Sequence, residues 1–307
     1  METLTTRPGL ATWWEASRPR TLPASVAPVL VGTAAAALVD PADGGAQVLW
    51  GRLALALLVA LTLQIAVNFA NDYFDGVRGV DTEDRVGPRR LVASGIVSPS
   101  QMKRGMAVAL GVAAIAGLAL AAMAGGELLL VGAAALLAAV GYSGGPKPYA
   151  SAGLGEVFVF VFFGVVATAG SAYVQDERLT ALALVASLPM GLLATALLVV
   201  NNLRDIFTDT AAGKVTLAVR LGDAGTRRLY LLLLAGALVS VPVLALVAGS
   251  PWPLLGLLAA PLAPPALRVV RMAEGPALIA ALGLTARLQL VLALLLVAGL
   301  GLRGVGA

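Results

Sequence analysis

The sequence predicts an all-α, polytopic membrane protein whose nine transmembrane helices form one bundle. Its 307 residues are 59% hydrophobic and only 12% charged, and the mean hydropathy is +0.91. Soluble domains carry about 25% charged residues, so a soluble chain of this composition would leave much apolar surface in water. A lipid bilayer is therefore the expected solvent and the first expected partner.

Nine apolar segments approach the length of about 20 residues that a membrane-spanning helix needs. Glycine and proline interrupt them, as helices in membranes permit. No linker divides residues 1–307, which we treat as a single membrane domain. Residues 1–20 are expected to form a cytoplasmic or interfacial segment without a cleavable signal peptide. The nine segments are residues 22–39, 50–70, 105–123, 127–142, 154–173, 179–200, 229–248, 251–267 and 277–301.

Lysine and arginine determine the expected orientation. With the N-terminus in the cytoplasm, 18 of the 21 basic residues fall in cytoplasmic loops or at adjoining helix ends, in agreement with the positive-inside rule. The net charge of +4 and the sequence pI of about 9.8 follow from the same bias and do not indicate a nucleic-acid partner. We expect a multi-pass protein of the cell membrane with its N-terminus and active site on the cytoplasmic side.

The sequence contains neither cysteine nor histidine. This excludes disulfides, thiol nucleophiles, histidine bases and zinc sites built from either residue. The remaining metal ligands are carboxylate, amide, hydroxyl and carbonyl oxygens, which suit hard cations such as Mg²⁺ and Mn²⁺.

A first acidic cluster begins at the end of the second predicted helix. Asn68, Asp72 and Asp75 are spaced i, i+4 and i+7, so on a helix they share one face. Asn71 lies beside them, and Asp81 follows in the next loop. Carboxylates that share a face near a membrane repel one another and are costly to desolvate, so this cluster requires a positive partner.

A second acidic cluster follows the sixth predicted helix. Asn202, Asp205 and Asp209 are spaced i, i+3 and i+7 and predict a similar stripe. Ion pairs with Arg78 or Arg204 would offset the charge in a purely structural way. A divalent cation is the better candidate, because Mg²⁺ typically uses one or two carboxylates, water and substrate phosphate oxygens. Two such stripes that face each other would hold a metal–diphosphate complex between them.

Charged residues near the two clusters extend the candidate site. Lys147 is the only charge in the loop after the fourth predicted helix, and Lys214 follows the second cluster, so both are candidates for diphosphate binding. Glu156, near the inner end of the fifth helix, is costly to bury unless it faces a polar cavity. Arg89 and Arg90 are expected to anchor the protein at the inner leaflet.

Two short motifs and four further stretches carry a family resemblance. NDYFDG at residues 71–76 and DIFTD at residues 205–209 resemble the paired aspartate motifs of the UbiA superfamily of intramembrane prenyltransferases, whose fold has nine helices. The further stretches are similar to the 1,4-dihydroxy-2-naphthoate polyprenyltransferases of menaquinone synthesis. They are SRPRTLP at 17–23, GGPKPY at 144–149, NNLRD at 201–205 and GKVTLAVRLG at 213–222.

The resemblance implies a reaction and a metal. A polyprenyl diphosphate would lose its diphosphate, the allylic cation would alkylate 1,4-dihydroxy-2-naphthoate where the carboxylate sits, and CO₂ would leave to give demethylmenaquinone. Two Mg²⁺ ions, with Mn²⁺ as an alternative, would be held by Asp72 and Asp75 on one side and by Asp205 and Asp209 on the other. Asp81 is a further candidate ligand, although its spacing from Asp75 is longer than the usual superfamily pattern.

The resemblance also implies residues that bind or orient the two substrates. Lysines would neutralise phosphate charge, and asparagines would orient carboxylates. Arg18 or Arg20 would hold the acceptor carboxylate, and the ring of Tyr142 or Tyr149 would face the allylic cation. Without histidine, the base must be a carboxylate, a tyrosine or bound diphosphate. The candidates are Lys147, Lys214, Asn68, Asn71, Asn202, Arg20, Arg78, Tyr142, Tyr149 and Glu156.

Three other functions fit parts of the sequence. A prenyltransferase of the same superfamily could use 4-hydroxybenzoate, haem or chlorophyllide as its acceptor. An ion-coupled transporter could use intramembrane aspartates as ion sites, although these aspartates cluster at helix ends and not at the midplane. A lipid-head-group phosphotransferase also uses membrane aspartates and divalent metals, with an alcohol as acceptor.

Overall fold

The computed structural model describes residues 8–36, 48–79 and 89–304, and within them the chain is helical without any strand. Short loops and 3₁₀ turns join the helices. In chain order the helices are α1 (Leu10–Ala16), α2 (Pro23–Ala36), α3 (Trp50–Arg78), α4 (Pro99–Ala124), α5 (Leu128–Gly141), α6 (Gly155–Asp176), α7 (Ala181–Arg204), α8 (Ile206–Ala211), α9 (Leu217–Val247), α10 (Trp252–Met272) and α11 (Gly275–Leu302).

Seven helices of the described chain are long and apolar enough to cross a membrane, namely α3, α4, α6, α7, α9, α10 and α11. The all-helical membrane fold is therefore confirmed, but nine spans are not. Helix α5 has only 14 residues, and at about 1.5 Å per residue it falls short of a hydrocarbon core of about 30 Å. Helix α2 also has 14 residues, and the end of the predicted segment 22–39 lies outside the described residues.

The main apolar core lies between α2, α7, α9, α10 and α11. Tyr230 is fully buried there and forms a hydrogen bond of 2.6 Å with Thr285, since a polar group without water must find a partner inside the bundle. Helices α3 and α4 pack along each other, and α5 packs against both. Together with α6 they surround a space that the main core does not fill.

Close contacts between glycines hold α6 against α7. Helix α6 contains a π-helical stretch, Phe160–Val166, and Gly164 within it lies against Gly191 of α7. A Cβ atom added to Gly164 would lie 2.5 Å from the Cα atom of Gly191. A larger residue at this position would therefore push the two helices apart.

The stretches 71–104 and 201–228, which lie between predicted membrane segments, are partly helical. Helix α3 continues to Arg78 and so carries the first cluster up to Asp75. Helix α8 occupies part of the second stretch, and α9 begins at Leu217 instead of near residue 229. Helix α9 is interrupted at Gly222, whose φ of 69° and ψ of 176° are not helical, so its first residues and its long apolar part are two helical pieces joined at a kink.

Candidate active site

Asp72 anchors the segment that follows α3. The residue is 2% exposed, and its two carboxylate oxygens accept hydrogen bonds from the backbone N–H groups of Leu91 and Val92, each at 3.0 Å. Buried backbone amides need partners, and this carboxylate supplies them. A carboxylate offers about four lone-pair sites, so Asp72 retains acceptor capacity beyond these two bonds.

Asp75 connects the two acidic clusters. Its Oδ2 atom accepts hydrogen bonds from Arg90 at 3.1 Å and from Lys214 at 3.3 Å. Because Lys214 follows α8, this contact draws the end of α3 towards the second cluster. The expectation that Arg90 anchors the protein at the inner leaflet is wrong. Arg90 is 7% exposed, since a buried carboxylate requires a positive partner.

The second cluster is not the continuous helical stripe that its spacing predicted. Helix α7 ends at Arg204, and Asp205 leaves helical geometry, with φ −96° and ψ 8°, before α8 begins. Asp205 forms a two-point ion pair with Arg204, at 2.7 Å and 2.5 Å. Adjacent residues do not face each other on a helix, so this pair forms where the helix is broken. Asp209 lies beyond the break and is half-buried.

Asn68 holds the N-terminal segment against α3. Its amide nitrogen donates to the carbonyl oxygen of Ser17 at 2.8 Å and to the hydroxyl of Thr21 at 3.2 Å. Gln64, one turn earlier, donates to the same hydroxyl at 3.3 Å. Asn68 therefore positions the stretch that carries Arg20.

The other two predicted asparagines also have protein partners. Asn71 accepts a hydrogen bond from the hydroxyl of Ser143. Asn202 donates to Oε1 of Glu156 at 2.9 Å. Glu156 is 5% exposed, and its Oε2 atom has no hydrogen-bond partner among the described residues. The second cluster is thus tied to the start of α6.

Arg78 stabilises the loop between α5 and α6. Its guanidinium donates to the carbonyl oxygens of Ser143 at 2.8 Å and Gly145 at 2.6 Å, and it lies 5.7 Å from the ring centroid of Phe74. These contacts hold the loop against the end of α3. Lys147, in the same loop, is exposed, and its contact with diphosphate stays a prediction.

The two predicted tyrosines, Tyr142 and Tyr149, form an aromatic group in the α5–α6 loop, next to the start of α6. The ring centroids of Tyr142 and Tyr149 are 5.5 Å apart, and Tyr149 stacks on Phe158 at 3.9 Å. The hydroxyl of Tyr149 donates to the carbonyl oxygen of Ala138 at 2.7 Å. Burial raises the pKa of the Tyr149 phenol above its usual value, so this residue stays protonated and is a poor base.

A cavity of about 1080 Å³ extends into the bundle from this region. Its entrance, which we call the mouth, is lined mainly by polar residues, and its deeper walls are apolar. Tyr142 and Tyr149 border the cavity between these two parts. In the described chain the four cluster aspartates lie behind the mouth and do not border it. The mouth is bordered by Glu15, Arg18, Arg20, Asn68, Asn71, Arg89, Asn201 and Arg204.

The sequence predicted part of this mouth. It proposed Arg20, Asn68 and Asn71, but it left Arg89 to the membrane surface. Arg18, which the sequence proposed together with Arg20 for the acceptor carboxylate, also borders the mouth. It has a left-handed backbone at φ 51°, a conformation that is uncommon outside glycine. Asp81, the remaining candidate metal ligand, lies outside the described residues.

A model of the UbiA prenyltransferase family matches residues 25–288. That range includes both acidic clusters and nearly all of the cavity wall. The chain belongs to the UbiA prenyltransferase family. The family resemblance predicted from the sequence is thereby confirmed, and the helical bundle described above is a UbiA bundle.

Individual relatives of this UbiA family member agree with that assignment. It is 48% identical over 267 residues to the 1,4-dihydroxy-2-naphthoate octaprenyltransferase of Mycobacterium tuberculosis, with 86% of this chain and 88% of the relative covered. The protein of the same description from Mycobacterium leprae is 45% identical over 295 residues, with coverage of 96% and 97%. A solved structure of a UbiA homologue from Archaeoglobus fulgidus, bound to DMAPP and Mg²⁺, has a TM-score of 0.61 at 14% identity and covers 93% of this chain and 98% of that one.

The ligand chemistry of the two clusters suits a metal that arrives together with phosphate. In the described part of the chain, no three acidic residues are grouped closely enough to hold a metal ion by themselves. Mg²⁺ usually takes only one or two carboxylates and completes its shell with water and substrate phosphate oxygens. Asp75 and Asp205 each offer carboxylate oxygens. In the structure, Asp75 is paired with Arg90 and Lys214, and Asp205 is paired with Arg204.

Proposed function

We propose that this UbiA family member transfers a polyprenyl group from a polyprenyl diphosphate to 1,4-dihydroxy-2-naphthoate, with loss of CO₂. One observation carries the proposal. A mouth of arginines, amides and nearby carboxylates opens into an apolar cavity of about 1080 Å³. A donor with a charged diphosphate head and a hydrocarbon tail fits this cavity, with the head at the polar mouth and the tail along the apolar walls. The identity of the acceptor is supported by the mycobacterial relatives of that description.

The metal would bind at the two clusters. Asp72 and Asp75 would hold one Mg²⁺ ion, and Asp205 and Asp209 a second, with Mn²⁺ as an alternative to Mg²⁺. When bound, the metal would neutralise the diphosphate and so make it a better leaving group. The Archaeoglobus homologue with DMAPP and Mg²⁺ supports a metal but not the number of ions in this chain.

The protein's own residues would stabilise the leaving group and hold the acceptor. Lys214, 3.3 Å from Asp75, would turn from that carboxylate to the incoming diphosphate and add positive charge as the C–O bond breaks. Arg20 would bind the acceptor carboxylate, in the position that Asn68 fixes. The apolar walls beyond Tyr142 would keep water from the allylic cation.

The bond changes balance without a redox partner. The C–O bond of the donor breaks and its electron pair leaves with diphosphate. A ring carbon of the acceptor then forms the new C–C bond. Loss of CO₂ from that carbon returns an electron pair to the ring, which gives the quinol form of demethylmenaquinone. A proton lost from an acceptor hydroxyl to the bound diphosphate would raise the electron density of the ring.

The membrane arrangement extends the same proposal. Residues of α2 and α5, with their flanking segments, would complete nine crossings of the cell membrane. The basic mouth would lie on the cytoplasmic side, as the distribution of lysine and arginine favours.

Product formation tests the proposal directly. Membranes that contain the protein are incubated with 1,4-dihydroxy-2-naphthoate, a polyprenyl diphosphate and Mg²⁺, with EDTA as control, and products are identified by mass spectrometry. We expect metal-dependent formation of the decarboxylated prenyl quinol. Transfer to 4-hydroxybenzoate alone would correct the acceptor. If folded protein transferred to no aromatic acceptor, the transporter and phosphotransferase functions would replace this one.

A further inference from the structure

Glu156 is a buried carboxylate without a basic partner among the described residues. It is 5% exposed, and its Oε2 atom accepts no hydrogen bond from them. A buried charge is costly unless a partner offsets it. Part of the offset comes from α6 itself, because Glu156 lies in its first turn and the N-terminus of a helix favours negative charge. The side-chain partner is Asn202 of α7, whose amide nitrogen donates to Oε1 of Glu156 at 2.9 Å.

This hydrogen bond fixes the orientation of the Asn202 amide. An ionised carboxylate can only accept hydrogen bonds, so the nitrogen side of the amide must face Glu156. The Oδ1 atom of Asn202 therefore points away from Glu156, and no described residue donates a hydrogen bond to it. An amide in place of the carboxylate would permit either orientation, because an amide both donates and accepts.

Asn202 lies on the side of α7 that leads to the aspartates of the second cluster. It precedes Asp205 by three residues, and residues three apart are neighbours on one face of a helix. The N–H group of Asp205 still bonds to the carbonyl oxygen of Asn201 at 3.3 Å, so the last helical turn includes both positions. The amide oxygen of Asn202 is thus presented beside the carboxylates from which the metal site is proposed.

The turn before α6 also contacts the chain that follows the second cluster. The backbone N–H group of Val215 donates to the carbonyl oxygen of Ser151 at 3.1 Å. The guanidinium of Arg220 donates to the carbonyl oxygen of Ala152 at 2.8 Å. The start of α6 is therefore held to the chain on both sides of the cluster aspartates, and Glu156 has a fixed position relative to them.

We infer that Glu156 is a positioning residue for the metal site, which holds Asn202 so that its amide oxygen faces a cation bound at the second cluster. Mg²⁺ demands near-octahedral geometry and uses only one or two carboxylates, so a neutral oxygen with a fixed direction suits it. Loss of a partner that orients a ligand typically lowers metal affinity about 10- to 100-fold. The inference rests on the proposed function, because it takes a metal to bind at this cluster.

Metal binding tests this role without relying on turnover. Purified wild-type protein and Glu156→Gln are titrated with Mn²⁺ in the presence of inorganic diphosphate, and unbound Mn²⁺ is measured by electron paramagnetic resonance. We expect the Kd for Mn²⁺ to rise by about tenfold or more in the variant. Transfer by Glu156→Gln should need more Mg²⁺ for its half-maximal rate, while kcat at saturating Mg²⁺ should stay near the wild-type value.

A second substitution separates positioning from a simple effect of charge. Glu156→Gln removes a negative charge, which could weaken cation binding without any help from Asn202. Asn202→Ala removes the amide oxygen itself and should also raise the Kd. In that background, Glu156→Gln should change the Kd by no more than about twofold, because coupled residues are not additive. A charge effect would instead give the same further loss as in the wild-type protein.

A matched control removes a glutamate charge at the opposite end of α6. Glu127 accepts a hydrogen bond from the hydroxyl of Tyr173, and Glu127→Gln should leave the Kd for Mn²⁺ unchanged. Thermal unfolding in detergent checks that each variant is folded. If Glu156→Gln does not accumulate in membranes, Glu156→Asp keeps a group that only accepts hydrogen bonds and should raise the Kd less than Asn202→Ala does.

The outcomes distinguish this inference from the function on which it rests. An unchanged Kd in folded Glu156→Gln, or an equal further loss in the Asn202→Ala background, would overturn the positioning role while leaving a metal site established. A wild-type protein that bound no Mn²⁺ in the presence of diphosphate would overturn the metal dependence of the proposed function, and the inference with it.

Discussion

The two acidic clusters look alike in sequence but are held in place in different ways. In the first, Asp72 and Asp75 lie within α3 and bind the returning segment through the amides of Leu91 and Val92 and the side chain of Arg90. In the second, Asp205 has its own neighbour as partner. The carboxylates of the first cluster therefore organise the fold around them, whereas Asp205 of the second cluster is paired locally.

Because of this difference, substitutions in the two clusters should separate a loss of transfer activity from a loss of fold stability. A change in the first cluster should disturb both the fold and the reaction. A change at Asp205 should act mainly on the reaction, because its ion pair joins two adjacent residues. Four substitutions test the comparison, in order of decreasing expected effect.

Asp205→Asn should give the largest loss of transfer. It removes a negative charge proposed to bind metal, and we expect kcat to fall by about a hundredfold or more, as on loss of a transition-state stabiliser. Thermal stability should also fall, because the buried guanidinium of Arg204 loses its charged partner. The fall should be smaller than for Asp72→Asn, since asparagine still offers Arg204 one oxygen. Activity assays and thermal unfolding check both points, with Asp223→Asn, an exposed ion-paired position, as control. Near-normal transfer by Asp205→Asn would contradict the two-metal proposal.

Asp72→Asn should lower stability as well as activity. The new amide group would face the N–H group of Leu91 or Val92, so one buried hydrogen bond is lost and two donors oppose each other. An unsatisfied buried donor costs about 1–3 kcal/mol. Thermal unfolding in detergent should show a lower midpoint than for Asp205→Asn. Equal midpoints for the two variants would remove the distinction between the clusters.

Lys214→Met should weaken donor binding without unfolding the protein. Asp75 keeps Arg90 as its partner, so the first cluster remains neutralised. Loss of one hydrogen bond to a charged group is worth about 1.5–3 kcal/mol, and we expect the KM for the polyprenyl diphosphate to rise by about tenfold or more. Lys103→Met, in the first turns of α4, is the control. An unchanged KM would remove Lys214 from the diphosphate site.

Arg78→Lys should have the smallest effect. Lysine keeps the charge but cannot reach two carbonyl oxygens in the fixed geometry of a guanidinium. Loss of one ordinary hydrogen bond, about 0.5–1.5 kcal/mol, should loosen the 142–149 loop and reduce transfer severalfold at most. Hydrogen exchange of the loop amides would report the loosening. A loss as large as that of Asp205→Asn would instead place Arg78 in direct contact with substrate.

The sequence was most informative where residue type alone decides the outcome. Composition and segment length were enough to predict a helical membrane protein, because burying this much apolar surface is possible only in lipid. Local spacing also placed Asn68, Asp72 and Asp75 together on α3. It failed for the stripe through Asp205, because nothing in the spacing signals the helix break there. The pair with Arg204 was one of the alternatives that the sequence left open, and the structure shows it.

Partners distant in sequence could not be predicted in the same way. Asp75 meets Lys214, which lies 139 residues away, and Arg90 is buried although its position beside Arg89 is typical of a surface anchor. Arg78 likewise binds loop carbonyl oxygens instead of an open site. This contact depends on how the α5–α6 loop returns to α3.

By itself, the sequence determined the solvent of this protein, its helical class, the absence of thiol and imidazole chemistry, and the two groups of carboxylates from which a hard-metal site is proposed. Only the tertiary structure decided which cations neutralise those carboxylates, and that Gly164 closes a helix contact while Gly170 borders an open cavity. The physical reason is the same in each case. Composition sets what a side chain can do, but contact and empty space arise only when distant helices pack together.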